Sequence, residues 1–365
     1  MNSVVFSPDI FEIQRHGGVS RYFVELAEKI NSLGEFQVEV STAMHINSYL
    51  QDSSLNSGIY LPFSPNRVKL SKFMRSLNEE HSRKLTKKQS FGIGHETFYR
   101  GGAQFLTTRY RVTTVYDLIR EKFTPEWSGF AAKQLALTRA DSVICISQST
   151  ANDLQYYYKV NPNKISVVYL GVSERFSGQD ISRERENDRN QLLYVGGRDG
   201  YKDFKTLVLA FSQSNFLRDN FRVLVFGTKF TKEEVSLMSS LKVISFFDQV
   251  TGRDEFLISA YRSSVALVVT SIYEGFGLTA LEAMMAGCAV ISSGGGSLSE
   301  ITGGLDYRFE ASSPESLVEA IKSLMCKSDS SKELRSRALV HAQSFNWTKT
   351  AEDTLSIYKN LTDSI

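Results

Sequence analysis

The feature that most constrains this chain is a pattern that runs its length twice. Short apolar runs end in Gly, Ser or Asp and lead into amphipathic stretches of helical period, the signature of strand, loop and helix repeated. Parallel sheets follow, because strands joined by helices return in the same direction. In the first half, strands are expected near residues 4–6, 37–42, 111–116, 142–146 and 165–168, with helices such as 19–33 and 149–158 between them. A polar stretch, 173–190, then interrupts. Its run Arg183-Glu184-Arg185-Glu186-Asn187-Asp188-Arg189 has almost nothing to bury and reads as a linker. The pattern restarts with expected strands at 191–195, 222–226, 243–246, 265–269 and 289–292. The expected organisation is an α/β chain with a first Rossmann-like domain at 1–172, a linker at 173–190, a second Rossmann-like domain at 191–345 and a closing helix at 346–365. Ligands of such doubly wound sheets bind at the carboxyl ends of the strands.

Bulk properties exclude several classes. A chain of 365 residues exceeds what one core usually organises, and 42% hydrophobic with 22% charged residues is an ordinary globular composition. A net charge of +2 gives no global attraction to nucleic acid, so no nucleic-acid partner is expected. Three cysteines, Cys145, Cys288 and Cys326, are too few for a disulfide framework and lack metal-ligand spacing. The first residues lack the basic segment and apolar core of a signal peptide, and no apolar run approaches the ~20 residues that span a bilayer. The expected location is cytoplasmic.

The densest chemical signal is 271–287, Ser-Ile-Tyr-Glu-Gly-Phe-Gly-Leu-Thr-Ala-Leu-Glu-Ala-Met-Met-Ala-Gly. It follows an apolar strand and ends in a helix stopped by Gly287. Gly275 and Gly277 let the backbone pass close to a ligand, and the N–H groups that open the helix face phosphate or sugar oxygens. Glu274 and Glu282 then flank one anion-friendly loop. Thr279-x-x-Glu282 and Ser271-x-x-Glu274 also fit a capping box, which would account for both glutamates without chemistry.

This segment resembles the E-x7-E signature of glycosyltransferase family 4, usually E-G-F-G-L-P-x-L-E-A-M-A-x-G, with Thr279 standing where the family has Pro. The resemblance implies that Glu274 hydrogen-bonds the transferred sugar, that Glu282 binds the ribose hydroxyls, and that the backbone N–H groups of Phe276, Gly277, Leu278 and Thr279 hold sugar and phosphate oxygens. Arg198 and Lys202, in Gly196-Gly197-Arg198-Asp199-Gly200-Tyr201-Lys202, match the family's G-x-R-x-x-x-K element and would stabilise the leaving diphosphate. No D-x-D motif occurs, so cationic side chains are expected in place of a divalent ion, with no metal and no cofactor. In Gln14-Arg15-His16-Gly17-Gly18, Gly18 would meet the donor phosphates, with His16 and Arg15 near the acceptor. Val115-Tyr116-Asp117-Leu118 resembles a V-H-D-L element with Tyr116 in place of His. A Tyr hydroxyl can donate from the same place, and Asp117 is a helix cap or a candidate base. His95 matches a family position near the acceptor. Ser147 is read as a helix cap only, and the loop 293–300 as shaping the nucleotide pocket or forming a plain turn.

The resemblance extends to Phe345-Asn346-Trp347, which in the family begins a last helix crossing back to the first domain. It implies the GT-B fold, two Rossmann-like domains facing across a cleft, and a retaining hexosyltransferase. The opening segments look most like bacterial mannosyltransferases of lipopolysaccharide and exopolysaccharide assembly. GDP-mannose is therefore the favoured donor, with a saccharide or lipid-linked saccharide as acceptor. The base-reading segment, 247–254, holds no code separating guanine from uracil. A nucleotide-sugar epimerase and a non-catalytic nucleotide-sugar-binding partner of another transferase are the alternatives.

One local patch remains. Between Arg67 and Lys88, eight bases face only Glu79 and Glu80, while Leu70, Phe73, Met74 and Leu77 share a helix face. That face either packs on the first domain or rests on anionic lipid at the inner surface of the cytoplasmic membrane.

Overall fold

A computed structural model describes residues 2–63, 68–99, 102–124, 126, 129–177, 190–326 and 328–363. The chain divides into two compact units, Met1–Gly171 with Trp347–Ile365, and Val172–Asn346. Of the expected linker, residues 178–189 lie outside the described residues; Glu174–Phe176 form a 3-10 turn of the second unit, with Phe176 buried.

The first unit holds a six-stranded parallel sheet. Its strands are β1 (Asn2–Phe6), β2 (Phe36–Val40), β5 (Phe91–Glu96), β6 (Thr108–Val115), β7 (Ser142–Cys145) and β8 (Ile165–Val167), in the order β2-β1-β5-β6-β7-β8. Two short strands, β3 (Met44–His45) and β4 (Ile59–Tyr60), pair separately. The order reverses between β1 and β5, with Val4 opposite Ile93 and Phe6 opposite His95. β5 is absent from the expected strands: its sequence, Phe-Gly-Ile-Gly-His-Glu, has glycines at alternate positions and no apolar run, so only burial on both faces marks it. The closing helix, Trp347–Asp363, packs in this unit through Trp347 against Tyr22 and through Tyr358 against Phe36.

The second unit repeats the design with β9 (Asn190–Val195), β10 (Phe221–Phe226), β11 (Phe247–Val250), β12 (Ala266–Val269), β13 (Ala289–Ser292) and β14 (Tyr307–Arg308), in the order β11-β10-β9-β12-β13-β14. The strand expected at 243–246 is a 3-10 turn, Ile244–Phe246, and pairing begins at Phe247, where the side chain turns into the core. Leu192, Val223, Val268 and Ile291 pack against Phe211, Leu207 and Ile321 from the covering helices. The sheet reverses order between β9 and β12, which pair Ala266 with Leu192 and Leu267 with Leu193. Loops leaving their carboxyl ends diverge there and leave a crevice, so this is where a ligand is expected.

The helix Val68–Lys88 corrects the expected apolar face. Met74 is buried, but Phe73 is 56% and Leu77 37% exposed. The buried stripe continues instead through Asn78, Ser82 and Thr86. Asn78 explains the rotation: its Oδ1 accepts from the Ala43 and Met44 N–H groups, and its Nδ2 donates to Met44 O and Glu12 Oε1. Three hydrogen bonds to the backbone and a fourth to the Glu12 carboxylate outweigh burial of two apolar side chains.

Candidate donor site at the reversal of the second sheet

The loop that leaves β9 carries Arg198 and Lys202, and the loop that leaves β12 carries Glu274. Cross-bonds tie the two loops: Ile272 N–H donates to Tyr201 O at 2.7 Å and the Thr270 hydroxyl to Lys202 O at 2.7 Å. Lys202 Nζ then meets Glu274 Oε1 at 2.6 Å, an ion pair that spans the reversal of the sheet and stays partly open to solvent. These two residues lie 72 apart in sequence, and the fold brings them together.

A third loop fixes Glu274 from behind. Ser297 donates to Glu274 O through both its N–H and its hydroxyl, each at 3.0 Å. A Cβ on Gly295 would lie 2.0 Å from Ile272 O, and one on Gly296 2.3 Å from Glu274 O. The glycines of 293–300 therefore seat the Glu274 loop by close approach, where the sequence left a plain turn open. Gly277 follows with φ 98° and caps the helix Leu278–Met285 without a side-chain bond. Neither capping box read from the sequence exists, since Thr279 lies inside the helix and Ser271 precedes no helix. The first N–H groups of that helix have no carbonyl a turn earlier to bond, and half-buried Leu278 and Thr279 stand there. Phe276 is buried, edge-on to Phe345.

Glu282, in the middle of this helix, is only 5% exposed. Its Oε2 accepts the Tyr261 hydroxyl at 3.0 Å. Burial, and then the adjacent Glu282 charge, hold the Tyr261 phenol well above its usual range, so the hydroxyl remains a donor.

Arg198 departs from expectation. Its side chain is 3% exposed and engaged: Nε and Nη2 donate to Glu234 at 2.6 and 3.0 Å, Nη1 to Thr228 O and Nη2 to Lys229 O, both at 2.9 Å. The guanidinium also lies over the Phe230 ring. Glu234 in turn accepts from Thr231 N–H in a capping box at the start of the helix Lys232–Ser240. Arg198 thus fastens the loop after β9 to the one after β10, leaving Lys202 as the more open cation of the two. Thr231-x-x-Glu234 was readable as a capping box; its ion pair with Arg198 was not.

In the first unit, Gly18 opens the helix Gly18–Leu33, and a Cβ there would meet nothing within 4 Å. Exposed His16 stands beside it with Nδ1 at 2.7 Å from the Ser48 hydroxyl. Asp117 is half-buried; its Oδ1 accepts Ile119 N–H although Leu118, not Asp117, holds the cap position of the helix Ile119–Phe123, and its carbonyl accepts Lys133 Nζ at 3.1 Å. Lys133, which sequence reasoning passed over, is buried in an ion pair with Glu121 at 2.7 Å. His95 and Tyr116, expected near the acceptor, are both buried and engaged within the first unit. His95 is fully enclosed, with Nδ1 at 2.6 Å from Tyr358 Oη and Nε2 at 2.8 Å from Thr114 Oγ1, and burial pushes its pKa down to about 3. Both ring nitrogens serve the core and none is left for an acceptor. The Tyr116 hydroxyl donates to Thr97 O at 3.0 Å and its ring packs edge-on against Tyr22 and Phe23. Ser147 accepts Thr150 N–H as the cap of the helix Gln148–Tyr158.

Two family models cover most of the chain in succession: Glycosyltransferase Family 4 at residues 16–176 and Glycosyl transferases group 1 at 178–340. The chain belongs to glycosyltransferase family 4. This family 4 chain is 26% identical over 253 residues to the D-inositol 3-phosphate glycosyltransferase of Corynebacterium glutamicum (strain R), a match covering 62% of the chain and 59% of that relative. It is 25% identical over 297 residues to the serotype-specific mannosyltransferase WbdA of Escherichia coli, covering 75% of the chain and 36% of WbdA. The chain thus spans between about a third and three fifths of these relatives. Sucrose-phosphate synthase from Thermosynechococcus elongatus superposes with a TM-score of 0.77 at 19% identity, covering 100% of both chains. The fold is GT-B.

Proposed function

We propose that this family 4 chain is a retaining hexosyltransferase that moves a sugar, with mannose from GDP-mannose the favoured donor, to a hydroxyl of a saccharide or lipid-linked saccharide during surface polysaccharide synthesis. The observation that carries this reading is the Lys202–Glu274 ion pair at the reversal of the second sheet, next to the helix that bears Glu282. Each of the two cations pairs with a carboxylate, Arg198 with Glu234 and Lys202 with Glu274. An arriving diphosphate competes with Glu274 for Lys202, and Glu274 is released toward the sugar hydroxyls. The N–H groups that open the helix Leu278–Met285 donate to the phosphate oxygens, and Glu282 takes the ribose. In the transfer step the bond from the anomeric carbon to the diphosphate oxygen breaks, and the acceptor oxygen bonds that carbon on the same face. The acceptor proton passes to the departing diphosphate. Lys202 neutralises charge as that bond opens, which favours the transition state over the bound donor. The mannosyl assignment draws on WbdA, a mannosyltransferase by name.

The test is a donor screen of GDP-mannose and UDP-hexoses with and without a membrane lipid extract. Sugar transfer only in the presence of extract supports the reading. Donor conversion without acceptor would make the chain an epimerase, and binding without turnover a non-catalytic partner.

The same reading includes peripheral attachment to anionic lipid. The helix Val68–Lys88 presents exposed Phe73 and Leu77 beside exposed Lys72, Lys84, Lys87 and Lys88, with Arg83 and Lys84 sharing Glu80. Arg67 lies outside the described residues. Among the described residues no helix is long and apolar enough to cross a membrane. Each base near an anionic surface contributes about 1 kcal/mol, and the attraction fades with salt. Wild type should co-sediment with phosphatidylglycerol vesicles at low salt and a variant with Glu at Lys84, Lys87 and Lys88 should not; equal sedimentation of the two removes the attachment.

A further inference from the structure

We propose that Arg308 is a positioning residue for sugar transfer: from the edge of the second sheet its guanidinium fixes the glycine loop 293–297, and through that loop it sets where Glu274 stands in the donor site. The inference rests on the reading that Glu274 contacts the transferred sugar. Three observations carry it.

First, one ion pair governs both backbone groups of Gly294. Arg308 Nε meets the Asp306 carboxylate at 2.7 Å, and that carboxylate is fully enclosed. Ser292 donates its hydroxyl to Asp306 Oδ2 at 2.5 Å and accepts the Gly294 N–H at 3.1 Å. Arg308 Nη1 donates to the Ser299 hydroxyl at 2.6 Å, which donates on to Gly294 O at 2.9 Å. Gly294 stands at φ 73°, in the left-handed region, and a Cβ there would run into Arg308 Nη1, so the guanidinium lies directly against the loop. Second, no slack separates Gly294 from Glu274. Gly295 closely approaches Ile272 O, Gly296 forms a bridge with Glu274, and Ser297 bonds Glu274 O twice. A shift of Gly294 is therefore passed to Glu274 by backbone contacts. Third, the grip needs a fork and not merely a charge. Nη2 donates to Thr302 Oγ1 at 3.0 Å, so the three guanidinium nitrogens meet three different residues at once, which the planar fork of arginine allows and a single ammonium does not. The arrangement is that of an orienting group behind a substrate-contacting one, where a small error in position is felt in turnover.

The test is a double-mutant cycle on turnover, with GDP-mannose and UDP-glucose as donors and a membrane lipid extract as the source of acceptor. Wild type, Arg308→Ala, Glu274→Ala and the double variant are compared, each with its melting midpoint. Arg308→Ala should lower kcat by about tenfold or more, a misplacement of about 1 Å being enough for roughly a hundredfold, with a much smaller change in the KM for donor. In the Glu274→Ala background the same substitution should cost less than about twofold, because groups that act as a unit are not additive. Equal losses in both backgrounds, or no loss of kcat in the single variant, overturn the proposal. Ser299→Ala keeps Arg308 paired with Asp306 and removes only the hydroxyl on Gly294 O; it should show the same pattern on a smaller scale, and it decides the matter by the same two outcomes if Arg308→Ala does not fold. Should Glu274→Ala turn over like wild type, or wild type transfer from neither donor, the reading beneath this inference falls and takes the inference with it.

Discussion

Substituting Arg198 by Ala should cost stability before it costs chemistry. The guanidinium is 3% exposed and makes four hydrogen bonds, two to the Glu234 carboxylate and one each to the carbonyls of Thr228 and Lys229. Breaking a buried pair from one side costs about 3–5 kcal/mol, because the remaining charge stays enclosed. Glu234 is 18% exposed and keeps the Thr231 N–H, so water and that donor offset part of the loss and the lower end applies, about 3 kcal/mol. The second unit runs from Val172 to Asn346. In a domain of that size each kcal/mol moves the midpoint by roughly 2–4 °C, so a fall of about 6–12 °C is expected. Differential scanning calorimetry measures it, and the endotherm that nucleoside diphosphate raises is the one belonging to the second unit. Replacing both partners, Arg198→Met with Glu234→Met, should recover part of the fall, since no charge is then left unpaired. If Arg198→Ala melted within about 2 °C of wild type while turnover dropped a hundredfold, the guanidinium would be acting on the donor and the fastening role argued above would be wrong.

Lys202→Ala should lower turnover by roughly a hundredfold, the scale for one preorganised charge-stabilising donor, with a smaller effect on the melting midpoint than Arg198→Ala because the Lys202–Glu274 pair is partly open to solvent. EDTA should leave wild-type turnover intact; loss restored by magnesium or manganese overturns a metal-free mechanism. Glu282→Ala should weaken nucleoside diphosphate binding by about tenfold or more, read by calorimetry, while Glu274→Ala lowers turnover more than nucleotide affinity. Glu96 tests the first unit. Burial first, and then the Asp9 charge, raise its pKa to about 7, with Arg139 Nη2 at 3.8 Å opposing them. A carboxyl whose folded pKa lies above the unfolded one takes up protons on folding, so its contribution is present below about pH 4.5 and lost as pH rises through about 7. Glu96→Gln should therefore gain stability relative to wild type between pH 5 and 8, by at most about 3 kcal/mol, in urea melts; a difference that stays constant with pH refutes the shift.

The local rules of the chain carried much of this protein into view. Apolar runs and helical periods marked four strands of the second sheet, β9, β10, β12 and β13, missed its short last strand and placed β11 four residues early, and the two glutamates stood out because glycines, helix start and carboxylates are neighbours in the chain. β5 escaped because glycine at alternate positions erases the apolar pattern while leaving a strand that its neighbours bury. What only the tertiary structure decided is which polar groups are spent on one another. Arg198 and Lys202 are equivalent in sequence, four residues apart on one loop. Glu234, brought in by the helix after β10, encloses the first, whereas Glu274 meets the second in the open. His95 looked like a site residue until Tyr358, 263 residues further along the chain, took its Nδ1. Phe73 and Leu77 could pack inward or face outward on the sequence alone, and Asn78 claimed the inward face. In each case the deciding interaction joins groups remote in sequence. Hydrogen bonds and ion pairs have no period along the chain, so their partners are set by where the sheets place the loops.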